Sequence, residues 1–258
     1  MNSNFWGCFS LTKLSIKYLL WTFSIMIICW GTCLIFSLNG ITLTDNYLLY
    51  IPYLLGGWSP TIASYISVKK QKSFKDWLKD IFDFKHSILS YIVVVLFSAL
   101  FVLPQCLISG YENGAPLFAI IFMIPMMLVG GGLEEAGWRY ILQPELEKKC
   151  NFVVATFLVS VIWWLWHMPL FYIQGVPQNG DSFVAFGINV LGLSFALASI
   201  RRTTKSAWLC VLFHCIINSL SGIYIVNDNV WGNVASAIIM IIVSLVLVIV
   251  NDKKKILE

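Results

Sequence analysis

Three short strings in this 258-residue chain set polar, ionisable side chains inside strongly apolar sequence. Glu134, Glu135 and Arg139 stand in Gly130-Gly-Gly-Leu-Glu-Glu-Ala-Gly-Trp-Arg139, His167 in Trp163-Trp-Leu-Trp-His-Met-Pro169, and His214 with Asn218 in Phe213-His-Cys-Ile-Ile-Asn218. Glu135 and Arg139 are four apart with the acid first, so on a helix they share a face and can pair. Glu134 is rotated about 100° from its neighbour and meets only Gly137 and Trp138 one turn on, which leaves it without a cation. A carboxylate of that kind, shielded from water, suits a general base that takes a proton from a nucleophilic water. His214 and Asn218, also four apart, can direct two hydrogen-bond donors at one developing negative charge. Taken singly, a His or Asn in a membrane helix is often only interhelical glue worth roughly 0.6 to 2 kcal/mol. Glue requires no doubled Glu behind three glycines together with a matched His/Asn pair, so the joint pattern reads as a site.

The elements that must carry these residues are membrane helices. The chain is 59% hydrophobic and 12% charged, whereas a soluble domain is about half apolar and about a quarter charged. Apolar runs of about 20 residues recur, each long enough to cross a hydrocarbon core about 30 Å thick. The spans fall near residues 18–38, 47–68, 87–108, 116–142, 152–173, 183–200, 207–226 and 230–250. The fold class is therefore all-α, a polytopic membrane bundle of about eight transmembrane helices. Threaded with both termini cytoplasmic, all 17 Lys and Arg lie on one side, and the opposite loops hold Asp45, Glu112, Asp181 and Asp228. This segregation follows the positive-inside rule and identifies a multi-pass cell-membrane protein. The net charge of +4 has its cause in that topology and implies no nucleic-acid partner.

Between the second and third spans, Phe74, Trp77, Leu78, Ile81 and Phe82 recur at helical spacing among Lys72, Lys75, Asp76, Lys79 and Asp80. That pattern predicts an interfacial amphipathic helix, either a lid or a loop anchored on lipid head groups. The seven cysteines, Cys8, Cys29, Cys33, Cys106, Cys150, Cys210 and Cys215, show no CxxC spacing and read as small packing residues. The first apolar run, behind Lys13 and Lys17, is a span and not a cleavable signal. One membrane domain, 1–258, uses the whole chain, with a catalytic core over 116–218.

The three strings resemble the CAAX protease and bacteriocin-processing (CPBP, or Abi) family of intramembrane proteases, which includes the type II CAAX prenyl endopeptidases. Glu134, Glu135 and Arg139 match its Glu-Glu-xxx-Arg motif and His214 with Asn218 its His-xxx-Asn motif. His167 matches the Phe-xxx-His motif with Trp163 in place of Phe, an aromatic replacement read as a change of pocket shape. The resemblance implies an endopeptidase acting on a membrane-associated or lipidated peptide. In it Glu134 is the general base, His167 orients the attacking water, His214 and Asn218 hold the oxyanion, and Arg139 holds Glu135. Relatives are often named metalloproteases. Zn²⁺ on Glu134, His167 and His214 is the alternative to the favoured metal-free mechanism, although no HExxH helix accompanies it. The rival functions are a non-catalytic bacteriocin self-immunity or peptide-binding protein and, with no internal repeat to support it, a proton-relay transporter. Counted along straight helices from the cytoplasmic ends, His167 lies deeper than Glu134 or His214. Tilted helices, a bend at Pro125 or Pro169, or an opening near Gly130 to Gly132 can each bring them together, in a site expected to open toward the cytoplasmic half.

Overall fold

In a computed structural model the described residues are 11–227 and 229–257, so Cys8 and Asp228 lie outside them. Helices begin where a hydroxyl or amide side chain precedes an apolar run and accepts a backbone N–H of the first turn. Thr12, Ser73, Ser87, Asn151 and Ser182 cap α1 (Lys13–Leu38), α4 (Phe74–Ile81), α5 (Ile88–Ser109), α9 (Phe152–Trp166) and α10 (Phe183–Thr204) in this way. Between the first two lie α2 (Tyr50–Gly57) and α3 (Ser59–Val68). The fourth apolar segment is α6 (Ile120–Val129), α7 (Glu135–Gly137) and α8 (Gln143–Glu147), and α11 (Trp208–Ile223) and α12 (Val230–Leu257) complete the bundle.

Five helices are long and apolar enough to cross a membrane, and the fourth segment, bent by 42° between Leu117–Val129 and Gly132–Glu147, makes a sixth if taken as one span. The other two expected spans are helical but shorter. Residues 47–68 are interrupted at Trp58, where Gly56, Gly57 and Pro60 weaken the helix on both sides, and α11 has 16 residues. The described helices thus supply at most six full-length crossings by themselves, against the eight expected. Large side chains such as Leu20, Ile28, Leu107, Ile121 and Phe122 stand on the outer surface, each at least 64% exposed. Apolar surface on that scale is covered by lipid, and the protein is an integral membrane protein.

One feature departs from an all-helical reading. β1 (Tyr111–Asn113) pairs antiparallel with β2 (Tyr224–Val226), Glu112 opposite Ile225, so the seventh segment leaves its helix at Ile223. The helix expected between the second and third spans is α4. It is packed on protein, with Trp77 4% exposed, Ile81 fully buried and the Trp77 indole donating to Ser64 Oγ at 3.1 Å. Phe74, the first of the five expected apolar positions, is 53% exposed. Cys33, Cys210 and Cys215 are buried, as packing residues should be, and Cys29 and Cys106 are half-buried.

Basic residues tie one end of the bundle together. Lys17 donates to the carbonyls of Ile66 and Ser67 at the end of α3, Arg201 to the Arg139 carbonyl, and Arg202 to Glu147 and Asp252. Cations at helix C-termini satisfy carbonyls that lack intrahelical partners. At the other end, the Gln174 amide donates to Ser37 Oγ, which draws the 173–182 loop onto the end of α1.

Candidate active site

The fourth segment is built to break. Gly131 has φ +138°, outside what L side chains adopt, and a Cβ on Gly132 would collide with Cys215 Sγ of α11. The carbonyls exposed by the break are taken up from neighbouring elements. The Trp58 indole donates to Val129 O at 2.9 Å, Asn218 Nδ2 to Gly130 O at 3.1 Å and Thr61 Oγ1 to Leu133 O at 2.7 Å. The chain then runs through a tight turn at Gly132–Glu134, α7, and a π-helical turn at Trp138–Leu142 before α8. Such turns inside α-helices recur at functional sites. On the partner side, α9 stops at Trp166, and Pro169 starts a short 3₁₀ turn that leaves His167 at the helix end.

The spaced pairs form as their sequence positions predict. Arg139 Nε donates to Glu135 Oε2 at 3.1 Å, with both side chains fully buried. The remaining guanidinium nitrogens donate to Gln143 Oε1 and Ser194 Oγ, so each of the three nitrogens has a partner. The other Glu135 oxygen lies 2.8 Å from His214 Nδ1, which fixes that ring nitrogen as the donor and turns Nε2 to the cavity. His167 Nδ1 lies 2.9 Å from the Trp163 carbonyl and must donate to it, so Nε2 of His167 keeps its lone pair.

Glu134 has no cation. One oxygen, Oε2, accepts the Trp163 indole N–H at 2.9 Å. A methyl placed on Gly131 would stand 2.6 Å from Asn218 Nδ2, 3.2 Å from His214 Nε2 and 3.6 Å from Glu134 Oε1. Carboxylate, imidazole and amide therefore converge on the space that the missing side chain leaves. Glu134, His167, His214 and Asn218 all line one cavity of about 200 Å³. The 42° bend and the end of α9 at His167 remove the difference in depth that straight helices would give.

The cavity extends from the motif residues toward the end of the bundle away from the basic side chains. Its wall includes Tyr53, Leu170 and Gln178, which belong to the end at Leu38 and not to the end that carries Lys17, Arg201 and Arg202. Its exposed members, Leu54, Val129 and Gly130, sit between α2 and α6 on the apolar outer surface. Gln178 Oε1 and Asn189 Oδ1, also in the wall, are buried with no hydrogen-bond partner. Neither residue stands out in the sequence, because no spacing rule links a loop amide and a helix amide to the motifs.

Among the described residues no three His, Cys, Asp or Glu side chains are grouped to hold a metal. Glu134 Oε2 is taken by the indole, and the third ligand expected, His167, is not gathered with Glu134 and His214 into a tetrahedral set.

Residues 115–220 match the type II CAAX prenyl endopeptidase Rce1-like family. The chain is similar to the type II CAAX prenyl endopeptidases. A CAAX prenyl protease 2 of Methanococcus maripaludis is 26% identical over 230 residues, covering 78% of this chain and 81% of the relative. The matched stretch contains all three strings from Glu134 to Asn218 and the broken fourth segment that brings them together.

Proposed function

We propose that this protein is an intramembrane endopeptidase that hydrolyses a peptide bond in a membrane-associated or lipidated peptide without a metal ion. The observation that carries the reading is the convergence of Glu134 Oε1, His214 Nε2 and Asn218 Nδ2 beside Gly131. Glu134, which no Lys or Arg pairs, takes a proton from water as that water attacks the carbonyl carbon. The lone pair on His167 Nε2 accepts the water's other proton in a hydrogen bond and fixes its orientation. As the carbonyl oxygen gains charge, Asn218 Nδ2 donates its second N–H, and His214 donates from Nε2 in its doubly protonated form. Glu135 supports that form through Nδ1, and Arg139 holds Glu135 in place. The proton held by Glu134 then passes to the leaving amine, so the carboxylate is regenerated.

The unpartnered oxygens of Gln178 and Asn189 are suited to accept backbone N–H groups of an extended substrate. Substrate reaches the cavity from the lipid-facing gap at Leu54, Val129 and Gly130. With both termini on the cytoplasmic side, by the positive-inside rule, the cavity belongs to the outer half of the membrane. The relative's name makes a prenylated peptide the first substrate to test. Purified protein in liposomes should cleave a prenylated peptide ending in a C-a-a-X sequence, read by mass, and keep doing so after chelation. Full turnover by Glu134→Gln protein would contradict the base assignment. Stoichiometric zinc whose removal abolishes activity would contradict the metal-free reaction.

A further inference from the structure

At the first position of the second motif this chain has Trp163, and that side chain lies against Glu134, Arg139, His167 and His214. It is 2% exposed, so water does not compete for its indole N–H. That N–H donates to Glu134 Oε2 at 2.9 Å. The ring centroid lies 5.5 Å from that of His214 and 5.7 Å from that of His167. The Arg139 guanidinium carbon stands 5.5 Å over the ring, and the Trp163 carbonyl takes His167 Nδ1–H. A phenylalanine in the same place would keep the ring contacts and the carbonyl but could donate nothing to Glu134.

We propose that Trp163 is a positioning residue whose indole N–H occupies one oxygen of Glu134 and so presents the other, Oε1, to the His214–Asn218 locus. A carboxylate on a side chain with three rotatable bonds otherwise samples several rotamers, and only some place an oxygen beside Gly131. The indole acts on Glu134 through a donor rigidly mounted on α9, one turn before His167, so a single residue fixes both the base and the water-orienting imidazole. The Arg139 guanidinium over the ring adds a cation–π contact that helps to hold the indole in place. The inference rests on the reading of Glu134 as the base.

The test separates the N–H from the shape. Trp163→Phe removes the donor and leaves an aromatic ring, and replacement by 3-benzothienylalanine keeps the two-ring outline while exchanging N–H for sulfur. Both should lower kcat by roughly ten- to hundredfold, the scale of one hydrogen bond to a charged group. KM and the thermal unfolding midpoint of the benzothienyl protein should stay at their wild-type values. Unchanged kcat in the benzothienyl protein would overturn the proposal, as would a fall in kcat matched by an equal rise in KM or by loss of folded protein in both variants. Glu134→Gln protein is measured alongside. If it is inactive while the benzothienyl protein is fully active, only the role of Trp163 fails. If it retains full turnover, the assignment of the base fails instead.

Discussion

At the scale of single residues, the site separates two neighbouring carboxylates by what each one touches. Glu135 is spent on Arg139 and His214, and Glu134 keeps an oxygen toward the cavity. Removing Arg139 takes the guanidinium from a fully buried ion pair and leaves Glu135 with His214 alone, and breaking a buried pair in this way costs about 3 to 5 kcal/mol. Arg139→Met protein should therefore unfold at a lower temperature, in a thermal melt in detergent, well before any assay of activity. Asn218 makes the opposite prediction. It is half-buried and donates only to Gly130 O, so Asn218→Ala should leave the melt nearly unchanged and lower kcat by about 10² to 10³, as loss of an oxyanion donor does. The acid–base division was legible in the sequence because i to i+4 geometry is local. The indole bond from Trp163 was not, since it depends on how α9 sits against a turn 29 residues away in the chain.

Among the elements, the break at Gly130 and Gly131 does the most to set the geometry. The spacing of the motifs required some such break, and the three glycines marked its place. Neither the bend nor the three outside donors that satisfy its carbonyls can be read from one segment alone. Gly131→Ala forces a Cβ into the space shared by Asn218, His214 and Glu134 and strains a backbone at φ +138°. Peptide hydrolysis should fall by more than tenfold in this variant, with insertion into the membrane intact; wild-type turnover would show that the space beside Gly131 is not where the reaction occurs. In α4, the Ser73 hydroxyl holds the exposed Asp76 carboxyl below the ordinary carboxylate range, with Lys79 adding to the effect. A lowered folded value means that this support is complete above the usual value of about 3.9 and is lost as pH falls through the lower one. Protection factors of the α4 amides, which are exchange rates referred to the intrinsic rate at each pH, should be insensitive to this group from neutral pH down to about 5 and fall in more acid solution.

For the whole molecule, composition was enough to identify a helical membrane protein, and the segregation of Lys and Arg matches the knot of basic side chains at one end of the bundle. The number of full-length crossings was not legible, because apolar content does not register the interruption at Trp58 or the shortness of α11. The three-residue strands were too short to leave an alternating pattern. The depth of the site residues was not legible from the sequence, because depth counted along straight helices does not register that they are bent or ended at the site. Cysteines introduced at Lys148 and at Asp181, in a background without the native ones, should react with a membrane-impermeant reagent from opposite sides of sealed cells, Asp181 from outside. Labelling of both from one side would contradict the orientation.

The central claim is that Glu134 drives peptide-bond hydrolysis in the membrane, and it does not require the substrate to be known in advance. Membranes of cells expressing the wild-type protein and of cells expressing equal amounts of Glu134→Gln protein can be compared by mass spectrometry of their full peptide content. The account predicts that at least one membrane-associated peptide is present as cleaved fragments with the wild type and intact with the variant. Identical fragment patterns at equal, correctly inserted expression would contradict it.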